Sequence, residues 1–242
     1  MPGDAYYAEV DVERIVREDR PGLVLAIGDS ALSAARRIRQ TPVVAVMAFG
    51  LYTGQAAPYN LTGISMFATP ERYVGMLQTM KVRRVGIIHN HDRTGWYLRQ
   101  ARQAAEKVGL ELVVREVKNS RETLAQLDVL SGKVDALWML PDLTAVSREN
   151  AEAFFRFGQE NAVPVISFAS SYLGLGAAAV VDIDRSELGR QAADTVMSLL
   201  NGGRIGEVPF VYPRTTSIKT NPNVLKRLGH PIEMARPLST RE

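Results

Sequence analysis

Val82-Arg83-Arg84-Val85-Gly86-Ile87-Ile88-His89-Asn90-His91-Asp92-Arg93-Thr94-Gly95-Trp96-Tyr97-Leu98, continued to Val117, decides the fold. Val85 to Ile88 is a short apolar run of the kind that suits a strand buried on both faces of a parallel sheet. Four polar residues, His89 to Asp92, end it. From Thr94 to Val108 the residues Tyr97, Leu98, Ala101, Ala104, Ala105 and Val108 recur at helical spacing, which predicts a helix with one buried stripe. Gly109 supplies a stop and Leu110 to Val114 the next strand. In open parallel sheets, ligands sit beyond the carboxyl ends of the strands, so a site is expected near His89 to Thr94.

The same alternation extends in both directions. Val12, Ile15 and Val16 predict a helix ending before Pro21-Gly22, and Leu23 to Ile27 a buried strand that runs into Gly28-Asp29-Ser30. A helix over Ala31 to Arg39 then places backbone N–H groups and a capping side chain, Asp29 or Ser30, at a second strand end. Val43 to Met47 is a strand, and the loop Phe49 to Asn60, rich in Gly, Pro, Tyr and Gln, is long enough to carry recognition groups. Leu61 to Phe67 is extended, and Thr69-Pro70 opens a helix to Met80. Further on, helices are expected over Ser120–Leu130, Ser147–Asn161, Ser186–Leu200 and Val224–Leu228, and strands over Ala136–Leu140, Pro164–Phe168 and Ala177–Val181. Ser170 to Gly176 is a small-residue loop, and the prolines after Val208 argue against continued regular sheet. Sustained strand–helix alternation is the pattern of an α/β protein with parallel sheets.

Composition narrows the function classes. Apolar residues at 46% and charged residues at 23% describe an ordinary folded chain, long enough at 242 residues for one large domain or two small ones. A net charge of +3 without a clustered basic stripe makes nucleic acid a poor partner. With no cysteine and three histidines, thiolate metal sites are excluded and a His-rich one is not expected; neither a metal nor a cofactor is anticipated. No 18-residue apolar stretch and no signal peptide is present, so the chain is expected to be soluble. The motifs of nucleophile elbows, phosphate loops, dinucleotide sites and zinc proteases are missing, so nothing positive supports an enzyme.

Several motifs together resemble a known family. They are Thr41-Pro42-Val43-Val44, Asn60-Leu61-Thr62-Gly63-Ile64-Ser65, Pro70-Glu71-Arg72, Lys81 to Ile87, Val163-Pro164-Val165, Gly174 to Ala179, Leu188 to Ala193 and Asn201-Gly202-Gly203. In this order and spacing the chain resembles the substrate-binding proteins of ABC transporters, of the type that binds tryptophan or other aromatic amino acids. The resemblance implies a type I periplasmic-binding-protein (Venus-flytrap) architecture: two Rossmann-like lobes around a cleft, with residues 1–65 and 181–209 in the first lobe and 66–180 and 210–242 in the second. It also implies an amino-acid-like ligand, an ABC permease as partner and a periplasmic or extracytoplasmic location. Family members usually begin with a further strand and helix, of which Ala5 to Val10 is at most a remnant, so whether the first lobe is incomplete stays open.

On that reading the candidate ligand contacts are Gly28, Asp29, Ser30, Phe49 and Asn60 from the first lobe and Asn90, Asp92, Thr94, Asp142 and Phe168 from the second. Trp96 is a candidate stacking residue or a core residue. Plainer roles compete with these: Asp92 as the cap of the helix at Thr94, Asp142 as a turn residue, Asn60 as a bond to backbone, and Asp182 and Asp184 as partners of the helix at Ser186. The alternative function is a ligand-sensing receptor domain partnered with a signalling protein. No helix-turn-helix precedes Asp11, which weighs against a DNA-binding regulator.

Overall fold

The computed structural model describes residues 11–54, 57–206 and 210–229 and forms two sheets. The smaller has three parallel strands in the order β1 (Val24–Ile27), β2 (Val43–Val46) and β3 (Leu61–Gly63). Helix α1 (Val12–Asp19) precedes β1, and α2 (Asp29–Ala35) connects β1 to β2. The larger sheet has six strands, ordered β5 (Glu111–Glu116), β4 (Arg84–His89), β6 (Ala136–Trp138), β7 (Val165–Ser167), β8 (Ala179–Ile183) and β9 (Thr216–Thr220). Its helices are α3 (Pro70–Thr79), α4 (His91–Glu106), α5 (Thr123–Leu130) and α6 (Ala151–Glu160). Helix α7 (Arg185–Leu200) follows β8 but returns to the smaller sheet, where Leu188 and Ala192 pack with Val44, Val46 and Ile64; α8 (Pro222–Arg227) closes the described chain.

Burial separates strand from helix as the apolar patterns predict. Val85, Ile87 and Ile88 of β4 and all of β6 and β7 are shut off from solvent, consistent with parallel strands covered on both faces. Tyr97, Leu98, Ala101, Ala104 and Ala105 form the buried stripe of α4, whereas Val108 lies outside the helix and is exposed. Tyr97 also donates from its hydroxyl to the Ala68 carbonyl at 2.8 Å, fixing α4 to the segment that enters α3.

The chain changes sheet at three places. After β3, Ile64 pairs with Val211, with Ser65 N donating to Val211 O at 2.9 Å and Val211 N to Gly63 O at 3.0 Å. Two chain crossings therefore lie side by side. The third follows Ile183, because β8 runs past its expected end at Val181 and remains in the larger sheet. Gln191 of α7, itself buried, ties the crossings together: its Nε2 donates to Tyr212 O and its Oε1 accepts from Arg214 N, both at 2.9 Å.

Several expectations need correction. Strand β9 exists despite the prolines, because Pro213 and Pro222 fall outside it and its antiparallel pairing to β8 lies at the sheet edge. The segment Ser170–Leu175 is a short 3₁₀ helix instead of a loop, and Ser120–Glu122 is a 3₁₀ turn leading into α5. Helix α6 starts at Ala151, four residues later than expected. Residues Ala5 to Val10, Val208 and Pro209 lie outside the described residues.

Candidate ligand-binding site

Where the carboxyl end of β1 meets α2, Gly28 carries φ 87° and ψ 168°, a conformation open essentially to glycine alone. Helix α2 starts at Asp29, two residues earlier than the apolar pattern predicts, so neither Asp29 nor Ser30 is the cap. Asp29 instead reaches across to the end of β2. Its carboxylate accepts from Phe49 N at 3.2 Å and Gly50 N at 2.7 Å. Met47, at φ 55°, turns the chain into the 3₁₀ helix Phe49–Leu51. Arg36 steadies that turn from its other end, donating from Nη2 to Gly50 O at 2.8 Å and Leu51 O at 3.0 Å.

A second group of polar residues stands at the carboxyl end of β4. Asn90 caps α4 by accepting from Arg93 N at 3.2 Å, so Asp92 is an exposed first-turn residue and not the cap. Thr94, expected to open the helix, lies inside it and is buried. Its hydroxyl donates to Asp142 Oδ2 at 2.7 Å. The same Asp142 oxygen accepts from Asn90 N at 2.7 Å, while Oδ1 accepts from Thr144 N at 2.9 Å and Ala145 N at 3.0 Å. All four bonds are internal, which makes this buried carboxylate the post that holds the ends of β4 and β6 together.

His89 extends the post inward. Because Thr94 Oγ1 gives its proton to Asp142, it accepts from His89 Nδ1 at 3.2 Å, which places the imidazole proton on Nδ1. Nε2 is buried and has no hydrogen-bond partner among the described residues. Burial pushes the His89 pKa down, against the raising pull of the nearby Asp142 and Glu116 carboxylates.

The two strand-end groups face each other. Phe49 of the smaller sheet meets Phe168, just past β7 of the larger, edge to face at 6.1 Å and 76°. A narrow gap beside them is lined by Phe49, Gly50 and Thr53 from one side and by Arg93, Thr94, Asp142 and Leu143 from the other. It opens toward a cavity of about 330 Å³ that shares Gly50, Thr53 and Arg93. Of the expected contacts, Phe49, Thr94 and Asp142 line this gap, Asp29, Asn90 and Phe168 touch those residues from behind or beside it, and Gly28 and Ser30 stand at the adjoining strand end. Asn60 is elsewhere. It precedes β3 at the amino end of the sheet, where Nδ2 donates to Ile38 O at 3.0 Å and Thr41 O at 2.8 Å.

Sequence reasoning missed several contributors. Arg36 and Arg93 carry no motif, and Tyr52, within the loop that follows Phe49, packs on Trp96 at 5.1 Å and Phe210 at 5.2 Å. Trp96 is a core residue, enclosed by Tyr52, Phe67, Tyr97 and Phe210 where the chain crosses between sheets. Asp184 is the cap of α7, accepting from Glu187 N, and Asp182 pairs with Lys219 of β9. Apart from the Asp184 cap, which is local and expected as a helix partner, these signals are carried by the spatial arrangement, since the partners are distant in sequence.

Two sheets, parallel but for the edge strand β9, joined by three crossings and facing each other at the carboxyl ends of their parallel strands, define a type I periplasmic-binding-protein fold. The chain belongs to the ABC transporter substrate binding protein family, whose model matches residues 7–235. A curated tyrosine-binding protein of Clostridioides difficile is 25% identical over 221 residues, covering 87% of this chain; the match spans 64% of that relative's length. Among solved structures, a domain from Streptococcus pneumonia in complex with L-Trp superposes with a TM-score of 0.68 at 22% identity, covering 90% of this chain and 77% of that one. A ligand-free, open substrate-binding protein with adhesive properties from Clostridium difficile gives 0.67 at 23% identity, over 93% and 78%. Lac repressor bound to ONPG shares the fold at a TM-score of 0.55 and 11% identity, covering 86% and 65%.

Proposed function

We propose that this chain is a non-catalytic, extracytoplasmic solute-binding protein of an ABC importer that holds a small ligand, an amino acid, between its sheets and presents it to a permease. The observation that carries this reading is the meeting of both sets of strand ends, Phe49 and its turn on one side and Thr94, Asp142 and Phe168 on the other, at a single gap. Relatives named for tyrosine and L-Trp support an aromatic amino acid as the ligand. In this account one lobe comprises residues 1–65 with the α7 region and the other comprises the larger sheet and its helices. A ligand that touches both lobes favours the arrangement in which they are close, by its differential affinity for the two arrangements.

Site residues divide by role under the proposal. Phe49 and Phe168 offer aromatic walls, Gly28 and Ser30 line the rim, and Asp29, Asn90, Thr94 and Asp142 hold those walls through bonds already made within the chain. Thermal unfolding in the presence of each of the twenty common amino acids tests the reading. A ligand that binds only the folded state raises Tm by mass action. L-Tyrosine or L-tryptophan at millimolar concentration is expected to raise it, and an unmoved transition with every amino acid would contradict the proposal.

A further inference from the structure

The cavity of about 330 Å³ is bracketed by two guanidinium groups that come from opposite sheets: Arg36 at the end of α2 and Arg93 in the first turn of α4. Gly50, Leu51, Tyr52 and Thr53 form much of the remaining wall, and among the described residues no carboxylate lines it. Nearby acidic groups are committed elsewhere, Asp29 to Phe49 N and Gly50 N, Asp142 to its four internal donors. Arg36 is half-buried and reaches only two carbonyl oxygens, Gly50 O and Leu51 O. Arg93 is anchored by its backbone, since its N–H is held by Asn90, yet its side chain has no hydrogen-bond or ion-pair partner among the described residues. The Arg93 side chain is exposed, whereas Arg36 is half-buried.

Two cations facing one cavity whose described lining holds no carboxylate repel each other, and a partly buried one also loses hydration, so an anionic guest stabilises this arrangement even with Asp142 and Asp29 nearby. Arginine presents a planar fork of donors matched to a carboxylate. Arg93 also borders the narrow gap at Phe49 and Phe67, so the cavity's charged wall adjoins the aromatic residues. We infer that the ligand's carboxylate is received by Arg93, with Arg36 supplying charge from the opposite lobe, and that this pair restricts the site to carboxylates. The inference rests on the solute-binding reading above and deepens it. Burial also draws the Arg36 pKa down, in keeping with a site that gains from a bound negative charge.

Calorimetry with the full chain tests this, comparing L-tyrosine and L-tryptophan with tyramine and tryptamine, which lack only the carboxylate, on the native protein and on Arg93→Gln, Arg93→Lys and Arg121→Gln. The expected result is binding of the amino acids but not the amines, a loss of about tenfold or more in affinity in Arg93→Gln, partial recovery in Arg93→Lys, and no change in the exposed control Arg121→Gln. Amines that bind as tightly as the acids, or Arg93→Gln within twofold of the native protein at an unchanged Tm, would overturn the inference and leave the solute-binding reading intact. Absence of binding by every amino acid would overturn both.

Discussion

Strands β1 and β4 are built from the same kind of apolar run, yet they end in different surroundings. Val85, Ile87 and Ile88 of β4 are sealed between β5 and β6 and under helices on both faces. In β1, Leu25 is 47% and Ile27 59% exposed, because the strand is the edge of a three-stranded sheet and, among the described residues, nothing pairs with its outer side. An apolar run thus specifies a strand but not how many neighbours it acquires. The larger sheet behaves as a finished core, whereas the smaller relies on α7, which arrives from far along the chain, and on the paired crossings at Ile64 and Val211.

The sharpest way to break the smaller sheet is at Gly63. A Cβ there would stand 2.1 Å from Ala45 O, a backbone atom that cannot step aside. Gly63→Ala is expected to cost about 3 kcal/mol or more, the upper end of overpacking, in denaturant unfolding; a loss under about 1 kcal/mol would mean that β2 and β3 are not packed as described.

Truncating one leucine in each sheet sharpens the contrast. Leu137 of β6 is fully buried, and Leu137→Ala should lose about 3 kcal/mol to the transfer and cavity terms. Leu25→Ala should change stability by less than about 1 kcal/mol, as exposed positions do. Equal costs measured by the same unfolding transitions would show that β1 is covered and that the difference between the sheets is illusory.

The smallest effect separates the two strand ends by pH. His89 at the end of β4 has its pKa held below the ordinary 6.5 by burial, while no histidine stands at the end of β1. The unfolded chain therefore takes up the proton first, and His89 makes stability fall as pH drops below about 6.5, with its full contribution present above that value. Unfolding curves from pH 7.5 to 5 should show this slope in the native protein and a flatter one in His89→Gln. Identical slopes would remove His89 from the account.

Much of this was legible in the order of residues, and the misses share one cause. The unit from Val85 to Glu116 could be read because its signals are local: an apolar run, a polar break, a helical stripe and Gly109 at φ 69°. The start of α4 was placed at Thr94 with Asp92 as its candidate cap, three residues late, because the polar run from His89 to Asp92 does not show which member caps, and the tie of Thr94 to Asp142, 48 residues away, is not local. Asp29 was mistaken for a cap for the same reason, its partners being the N–H groups of Phe49 and Gly50. Asn60 belonged to a stretch of family resemblance, yet its position before β3 puts it at the far end of the sheet from the gap. The arginine pair was invisible because Arg36 and Arg93 come to line one cavity only when two sheets are laid face to face.

The central claim is that a small ligand draws two sheet-and-helix lobes together, and an interlobe distance tests it most directly. The chain has no cysteine, so spin labels at Ser33→Cys on α2 and Glu152→Cys on α6, both exposed, report on one lobe each. With whichever of L-tyrosine and L-tryptophan raises Tm at saturation, pulsed electron-spin distances should narrow to a single distribution centred on the separation seen in this structure, from a broader and longer one without ligand. A distribution that stays the same when the ligand is bound would contradict the account.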